Sequence, residues 1–120
     1  MPESERAPIK PTITLDAVGR LDIRVGTVVS VADVAGSSKL VKLQVDFGDH
    51  RRQVLVGMKQ ERTDPAEIEG LQAMFIVNLE PKSMAGELSE GMLLDIGYED
   101  GITPVLAVPE EPVPDGTRAG

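Results

Sequence analysis

Alternating apolar and polar residues predict a chain built from short β-strands. In residues 21–31 aliphatic side chains recur at every second position, and Gly26 indicates a bend or bulge in this first strand. The side chains predicted to share one face are Leu21, Ile23, Val25, Val29 and Val31, with Thr27 as the one polar interruption. Residues 40–47 alternate more strictly: Val41, Leu43, Val45 and Phe47 are predicted to point inwards, and Lys42, Gln44 and Asp46 outwards.

Turn residues place the third strand and two short helical segments. Residues 48–50 form a tight connection, after which residues 51–58 return as the partner of the second strand. A single helical turn is predicted from Thr14, its N-cap, to Gly19, its C-cap. A second short helix is predicted over residues 64–70, because an Asp-Pro start and a Gly stop are typical helix boundaries.

The second half of the chain adds three more extended segments. Residues 73–79 are almost entirely apolar, which is typical of a central strand. Residues 92–98 predict a fifth strand. Residues 102–108 predict a further short one, which Pro104 and Pro109 confine to an edge or a closing position.

This order predicts an all-β fold: a five-stranded OB-fold barrel with one short helix between strands 3 and 4 and a C-terminal extension. An SH3-like barrel is the main alternative, although it usually lacks a helix of this length at that point. Residues 1–12 are polar and contain three prolines, so they are interpreted as a flexible N-terminal tail. Residues 13–120 are then a single domain.

Composition narrows the chemistry that the fold can perform. The chain has no cysteine, which excludes disulfides and thiolate chemistry, and it lacks both a secretion signal and an apolar run of about 20 residues. We therefore expect a cytoplasmic protein that does not span a membrane. His50, the one histidine, falls in the predicted turn next to Asp49, and no nucleophile, metal cluster or phosphate loop is evident. An enzyme is not expected, and neither is a cofactor.

Charge is distributed unevenly along the chain. The net charge is −8, but residues 1–60 hold nine Lys and Arg against seven Asp and Glu, and residues 61–120 hold three against thirteen. The basic residues Lys39, Lys42, Arg51, Arg52 and Lys59 bracket the second and third strands, and Gln44 shares the outward face. OB-folds commonly bind oligonucleotides on this face. Both Phe are predicted inward, so phosphate and shape contacts to structured RNA are favoured over base stacking.

Several motifs, in order, resemble the free-standing tRNA-binding domain proteins. That family includes the C-terminal domain of methionyl-tRNA synthetases and a bacterial branch described as secretion chaperones. Within residues 78–92, the residues Asn78-Leu79, Pro81, Met84-Ala-Gly86 and Ser89-Glu-Gly-Met92 match its signature loop. The other matching segments are Ile13–Asp16 with Leu21–Gly26, Lys39–Gly48, Pro65–Gly70 and Pro112–Gly120, the last resembling the ending of the chaperone branch.

The resemblance implies an OB-fold, a homodimer, and recognition of tRNA by shape. It adds Asn78, Lys82, Ser83 and Ser89 to the candidate RNA-binding residues. The chain departs from the family where Glu80, Ser83 and Ala85 stand at positions that are often basic, and Glu87 adds a negative charge. An alternative interpretation is that residues 78–92 are kept only as a structural corner.

Two functions therefore remain open. The first is a non-catalytic tRNA-binding module, acting in cis or as an accessory of an aminoacyl-tRNA synthetase. The second is a chaperone-like dimer that binds unfolded or export-bound polypeptides. Its apolar groove is predicted to be lined by Met58, Met84 and Met92, since flexible Met side chains suit varied partners.

Overall fold

The computed structural model describes residues 6–120. Its helical segments are α1 (Leu15–Gly19) and one 3₁₀ helix (Pro65–Ile68). Its strands are β1 (Ile23–Asp33), β2 (Val41–Asp46), β3 (Arg51–Val56), β4 (Gln72–Ile76), β5 (Lys82–Met84), β6 (Glu87–Ser89), β7 (Met92–Leu93), β8 (Asp95–Ile96), β9 (Val105–Leu106) and β10 (Arg118–Ala119). The all-β prediction is confirmed.

One curled antiparallel sheet carries the fold, in the order β3-β2-β1-β4-β7. The first half of β1 pairs with β4 and the second half with β2, so β1 bends the sheet towards a barrel. The 3₁₀ helix lies between β3 and β4 in sequence, and its Ile68 side chain is fully buried in the core. The chain thus has the predicted OB-like architecture, with the helix in the predicted place.

A β-bulge in β1 divides the residues that were predicted to share one face of this strand. Val28 pairs with Val45, but the next pair is Ser30 with Gln44, so Val29 is the extra residue. Val28 is consequently fully buried, whereas Val29 is 38% exposed. Val31, in contrast, packs against the core. The prediction that Val29 and Val31 share one face was therefore wrong, because the bulge between them shifts the alternation by one residue.

The core is aliphatic apart from two phenylalanine rings, both inward as predicted. Phe47 and Phe75 pack edge to face with ring centroids 5.5 Å apart. Met58 is 2% exposed and belongs to the same core cluster. The predicted N-caps are in place: Thr14 Oγ1 accepts from Ala17 N at 3.2 Å, and Asp64 Oδ1 accepts from Ala66 N at 3.2 Å. The predicted C-cap of α1 was wrong by one residue, because Gly19 is still helical and Arg20 is the C-cap.

The predicted fifth strand, residues 92–98, is divided into two. β7 pairs with β4, whereas β8 pairs with β9 in a separate two-stranded sheet. The single strand was therefore a wrong prediction. The chain changes partners at Leu94, whose N–H donates to Met74 O at 2.9 Å. A local hydrophobic pattern does not record which neighbour each residue pairs with.

The C-terminal extension returns along the start of β1. β10 pairs with Ile23 and Arg24, and Thr27 Oγ1 donates to Asp115 Oδ1 at 2.6 Å.

At the other terminus, residues 6–12 have no regular secondary structure, and Ala7 N donates to Asp100 Oδ1 at 3.2 Å. Residues 1–5 of the predicted tail lie outside the described residues. Within residues 6–120, no helix has both the length and the apolar character needed to cross a membrane.

Candidate nucleic-acid interface

The outward face of β2 and β3 brings together several of the predicted RNA-binding residues. Directly opposite residues in an antiparallel pair project to the same side of the sheet. The outward pairs are Lys42 with Leu55, Gln44 with Gln53, and Asp46 with Arg51. Gln44 Nε2 donates to Gln53 Oε1 at 3.2 Å, which joins the middle of this face.

The segment predicted as a signature loop contains a β-hairpin. β5 and β6 pair through Lys82 with Ser89 and Met84 with Glu87. The turn residues Ala85 and Gly86 both have positive φ, 51° and 78°, as a two-residue type I′ turn requires. We call residues 82–89 the 82–89 hairpin below.

Ser89, the last residue of this hairpin, and Glu90, which follows it, form hydrogen bonds with the free edge of β3. Gln53 N donates to Glu90 Oε1 at 3.0 Å, and Leu55 N donates to Ser89 Oγ at 3.0 Å. Glu90 N donates in turn to Gln53 O at 2.8 Å. Ser89 is 5% exposed and its hydroxyl also donates to Gly91 O at 3.0 Å. Ser89, predicted to contact RNA, therefore lies beneath the surface and closes the barrel.

Arg52 does not share the outward face with Arg51. It lies opposite Val45 on the inward side of the sheet. Its guanidinium donates to Val77 O at 2.6 Å and Glu90 O at 3.1 Å, and its Nε donates to His50 Nε2 at 3.0 Å. Arg52 thus joins three strand ends, although it was predicted to bind RNA.

His50 is exposed in the turn before β3, as predicted. Because its Nε2 accepts from Arg52, its Nδ1 carries the proton that is donated to Asp49 Oδ1 at 2.5 Å. This contact with His50 lowers the pKa of the Asp49 carboxyl below its ordinary value.

Two more of the predicted basic residues are held by acidic partners. Lys42 Nζ lies 3.1 Å from Glu87 Oε2 of the 82–89 hairpin. Lys59 Nζ lies 2.5 Å from Asp33 Oδ1 and also donates to Ser37 O. Exposed pairs of this kind stabilise a fold by less than about 1 kcal/mol, so they can open at low cost when another anion approaches.

Lys39, Arg51 and Lys82 remain exposed, and none of the ion pairs among residues 6–120 involves them. Lys39 and Lys82 line two neighbouring pockets that both include Met92. Ser83 is also exposed, on β5. We call Lys39, Arg51 and Lys82, which lie around β2 and β3, the free cations below.

Asn78 acts as a corner between β4 and the start of β1. Its Oδ1 accepts from Asp22 N at 2.8 Å, and its Nδ2 donates to Arg20 O at 2.7 Å. The side-chain amide thus replaces two backbone partners. The structure gives Asn78 a structural role, which agrees with the alternative interpretation of the loop.

An apolar groove of about 520 Å³ runs beside the hairpin. It is lined by Leu55, Leu79, Glu80, Lys82, Met84, Ser89, Gly91 and Met92. Two of the three predicted methionines are therefore brought together, and Met58, buried in the core, is not among them.

Sequence reasoning missed the acidic and amide side chains that organise this face. It noted Glu87 as an added negative charge but did not pair it with Lys42, and it assigned no role to Gln53 or Glu90. The cross-strand register of β2 and β3 is the signal that could have placed Gln53 beside Gln44.

One further carboxyl has a shifted pKa. Elsewhere, burial and the nearby Asp95 raise the pKa of Glu61 above its ordinary value. Among residues 6–120, no three His, Asp or Glu side chains are grouped so that they could hold a metal ion.

Residues 23–118 match the family described as "Putative tRNA binding domain". The chain belongs to this family. The match includes the outward face of β2 and β3, the 82–89 hairpin and the start of β10, and it confirms the family predicted from the signature residues.

The curated relatives include methionine–tRNA ligases. The chain is 39% identical to that of Archaeoglobus fulgidus over 116 residues, which is 97% of this chain and 17% of the relative. It is 43% identical to that of Chlorobium chlorochromatii over 96 residues, which is 80% of this chain and 14% of the relative. The chain thus corresponds to a small part of these enzymes.

Two solved structures with the same fold are matched along their entire chains. A MetRS-related protein of Pyrococcus horikoshii superposes with a TM-score of 0.84 at 34% identity, covering 92% of this chain and 100% of that one. The chaperone CsaA of Bacillus anthracis superposes with a TM-score of 0.77 at 27% identity, again over 92% and 100%.

Proposed function

We propose that this chain is a non-catalytic tRNA-binding module that recognises structured RNA mainly through backbone and shape. The observation that carries the proposal is the outward face of β2 and β3, where amide side chains lie beside cations in a member of the tRNA-binding domain family. The inward placement of both Phe rings supports phosphate and shape contacts over base stacking.

The free cations supply a modest electrostatic contribution. Each phosphate contact releases about 0.7–0.9 counterion. With contacts by Lys39, Arg51 and Lys82, the logarithm of the affinity should therefore fall with the logarithm of the salt concentration with a slope of about two to three. The rest of the molecule is acidic, with a net charge of −8. Binding must therefore be local to this face.

Neutralising the free cations tests this function. We expect the triple variant Lys39→Met, Arg51→Met and Lys82→Met to bind bulk tRNA about tenfold more weakly at low salt, with a flatter salt dependence. Arg20→Met is the control, because Arg20 is also exposed but precedes β1 and lies outside this face. Equal affinities for the triple variant and the control, measured by fluorescence anisotropy, would refute the proposed face.

The similarity to methionine–tRNA ligases favours a role beside a synthetase. We propose that the module presents tRNA to such an enzyme, either in cis or as a separate accessory, in the cytoplasm. The domain that does so comprises residues 13–120. A pull-down of the synthetase with the full chain, in the presence and absence of tRNA, tests the association.

We further propose that the chain forms a homodimer through the surface of α1 and β10. Leu15, Val18 and Leu21 are 85%, 49% and 46% exposed, and with Ala119 they line one shallow apolar pocket. Contiguous exposed apolar surface of this kind is typical of an interface. Light scattering should give about twice the chain mass of 12.8 kDa, and Val18→Asp should return it to one chain. A monomeric wild type would contradict the dimer.

A chaperone-like function is the second candidate, favoured by the apolar groove that contains Met84 and Met92. The fold similarity to the chaperone CsaA agrees with it. If the groove binds polypeptide, a fluorescent unfolded protein should bind the wild type and be released by Met84→Asp. The absence of measurable binding to the wild type would eliminate this function.

A further inference from the structure

The Glu87 carboxylate is held by two donors of the outward face of β2 and β3. Lys42 Nζ donates to Glu87 Oε2 at 3.1 Å, and Gln53 Nε2 donates to Glu87 Oε1 at 3.4 Å. An ammonium and an amide thus converge on the two oxygens of one anion. Both residues of the ion pair are partly exposed, 26% for Lys42 and 34% for Glu87. Solvent and ligands therefore reach the site.

The amide of Gln53 is oriented by its neighbours before any ligand arrives. Its Oε1 accepts from Gln44 Nε2 at 3.2 Å, so its amino group turns towards the hairpin. That amino group donates to Leu88 O at 2.9 Å as well as to Glu87. The amide orientation is consequently fixed by contacts on both sides, and the site is preorganised for an oxyanion.

A carboxylate and a phosphate make the same charge-assisted hydrogen bonds with such donors. The face that carries them is also the one on which OB-folds commonly bind oligonucleotides. Glu87 follows immediately after the turn of the 82–89 hairpin, which carries it over this face. Glu87 thus occupies the place that a backbone phosphate of RNA would take.

We propose that Lys42 and Gln53, with Gln44 as the positioning residue, form a phosphate-binding cradle that Glu87 fills in the free protein. An RNA phosphate displaces Glu87 when RNA binds. The RNA step rests on the proposed function, whereas the cradle itself does not. Because exposed ion pairs change an equilibrium constant by no more than about fivefold, Glu87 lowers the affinity and favours multivalent RNA over single anions.

Inorganic phosphate tests the cradle without RNA. In Glu87→Ala, we expect added phosphate to shift the NMR signals of the Gln53 side-chain amide and the Lys42 methylene next to Nζ. It should do so at about three- to fivefold lower concentration than in the wild type. Glu80→Ala is the matched control, because Glu80 lines the adjacent groove and has no hydrogen bond to Lys42 among those of the described chain. The Glu87→Ala, Lys42→Met double variant should lose the response.

The cradle is refuted if phosphate shifts these signals equally in the wild type, Glu80→Ala and Glu87→Ala, or leaves them unmoved in all three. Glu87→Gln, which keeps the length of the side chain, repeats the measurement if the alanine variant unfolds. An equal response with and without Lys42 would likewise overturn the proposal.

Binding to bulk tRNA provides the second arm. We expect Glu87→Gln to bind about three- to fivefold more tightly than Glu80→Gln, with a salt dependence steeper by about one counterion. If phosphate occupies the cradle but tRNA binds neither the wild type nor the variants, the proposed function fails and the cradle stands. If tRNA binds all proteins alike and phosphate does not bind, the cradle fails and the proposed function stands.

Discussion

At the residue scale, Arg51 and Arg52 show how strand alternation separates two neighbouring cations. Arg51 lies opposite Asp46 on the outward face, and Arg52 lies opposite Val45 on the inward face. Strand alternation points the two adjacent side chains in opposite directions, and the register shows that Arg51 is the one that faces outwards.

Substituting the two arginines should therefore change the stability of the protein by different amounts. Arg52→Met leaves the carbonyls of Val77 and Glu90 without their charged donor. We therefore expect the free energy of unfolding, measured in urea, to fall by about 2 kcal/mol. Arg51→Met is the matched control and should change stability by no more than about 0.5 kcal/mol. The opposite ranking would contradict the placement of these side chains.

Gly26 shows that a glycine in a strand can serve close packing. A Cβ at Gly26 would lie 2.6 Å from Val45 Cγ1 and 2.8 Å from Phe47 Cε1. We expect Gly26→Ala to destabilise the protein by about 1–3 kcal/mol, because the added methyl group overpacks the core. Gly19→Ala is the control, since nothing lies within 4 Å of its added Cβ and alanine favours the helix. Equal thermal stability of the two variants would refute this packing.

At the element scale, the 82–89 hairpin shows which part of the signature segment is structural. Ser89 and Glu90 bind the N–H groups of β3 that a neighbouring strand would otherwise take. Their side-chain oxygens close the barrel where β7 is only two residues long. The sequence predicted a corner at this point, but it did not show that the corner satisfies an open sheet edge.

The turn of this hairpin contains one strained residue. Ala85 has a φ of 51°, the one positive value outside glycine among residues 6–120. A left-handed conformation costs an L-residue such as alanine about 1 kcal/mol, and asparagine tolerates it better. Ala85→Asn should therefore raise the free energy of unfolding by up to about 1 kcal/mol. Ala35→Asn, at a turn residue outside the positive-φ set, should give no gain in the same urea titration.

The ion pairs of Asp22 with Arg24 of β1 and Arg118 of β10 should weaken in acid. Hydrogen bonds from Arg24, and then from Arg118, lower the pKa of Asp22 below its ordinary value, although partial burial opposes them. A lowered folded pKa means that the stabilisation is complete above the unfolded pKa of about 3.9 and is lost as the pH falls through the folded value.

Asp22→Asn should consequently be less stable than the wild type at pH 7, and this difference should shrink as the pH falls below the unfolded pKa of about 3.9. Glu110→Gln, at an exposed carboxylate of the C-terminal segment, is the control. A difference between the wild type and Asp22→Asn that is unchanged from pH 7 to pH 3 would exclude the ion pair as its cause.

Local patterns predicted most elements, and long-range pairing decided the rest. The alternation of β2 and the caps at Thr14 and Asp64 are fixed by nearby residues, so they could be read correctly. The bulge at Val29 and the division of residues 92–98 depend on partners distant in sequence. Such pairings leave no periodic signal in the strand itself.

At the scale of the whole molecule, the location of the candidate site could be predicted, but the ion pairs that its basic residues form could not. The basic residues around β2 and β3 were identified from charge and strand order. The acidic partners Glu87 and Asp33 come from other segments, so the sequence could not show that Lys42 and Lys59 are neutralised. The net charge of −8 is thus compatible with a local basic face, because Lys39, Arg51 and Lys82 stay outside those pairs.

A salt titration of wild-type binding to bulk tRNA tests the central claim most directly. We predict a dissociation constant tighter than about 10⁻⁴ M at 50 mM salt. With contacts from the three free cations, affinity should fall about 20- to 40-fold between 50 and 200 mM salt. Binding weaker than about 10⁻⁴ M at 50 mM salt, or affinity that does not change with salt, would contradict a tRNA-binding face on β2 and β3.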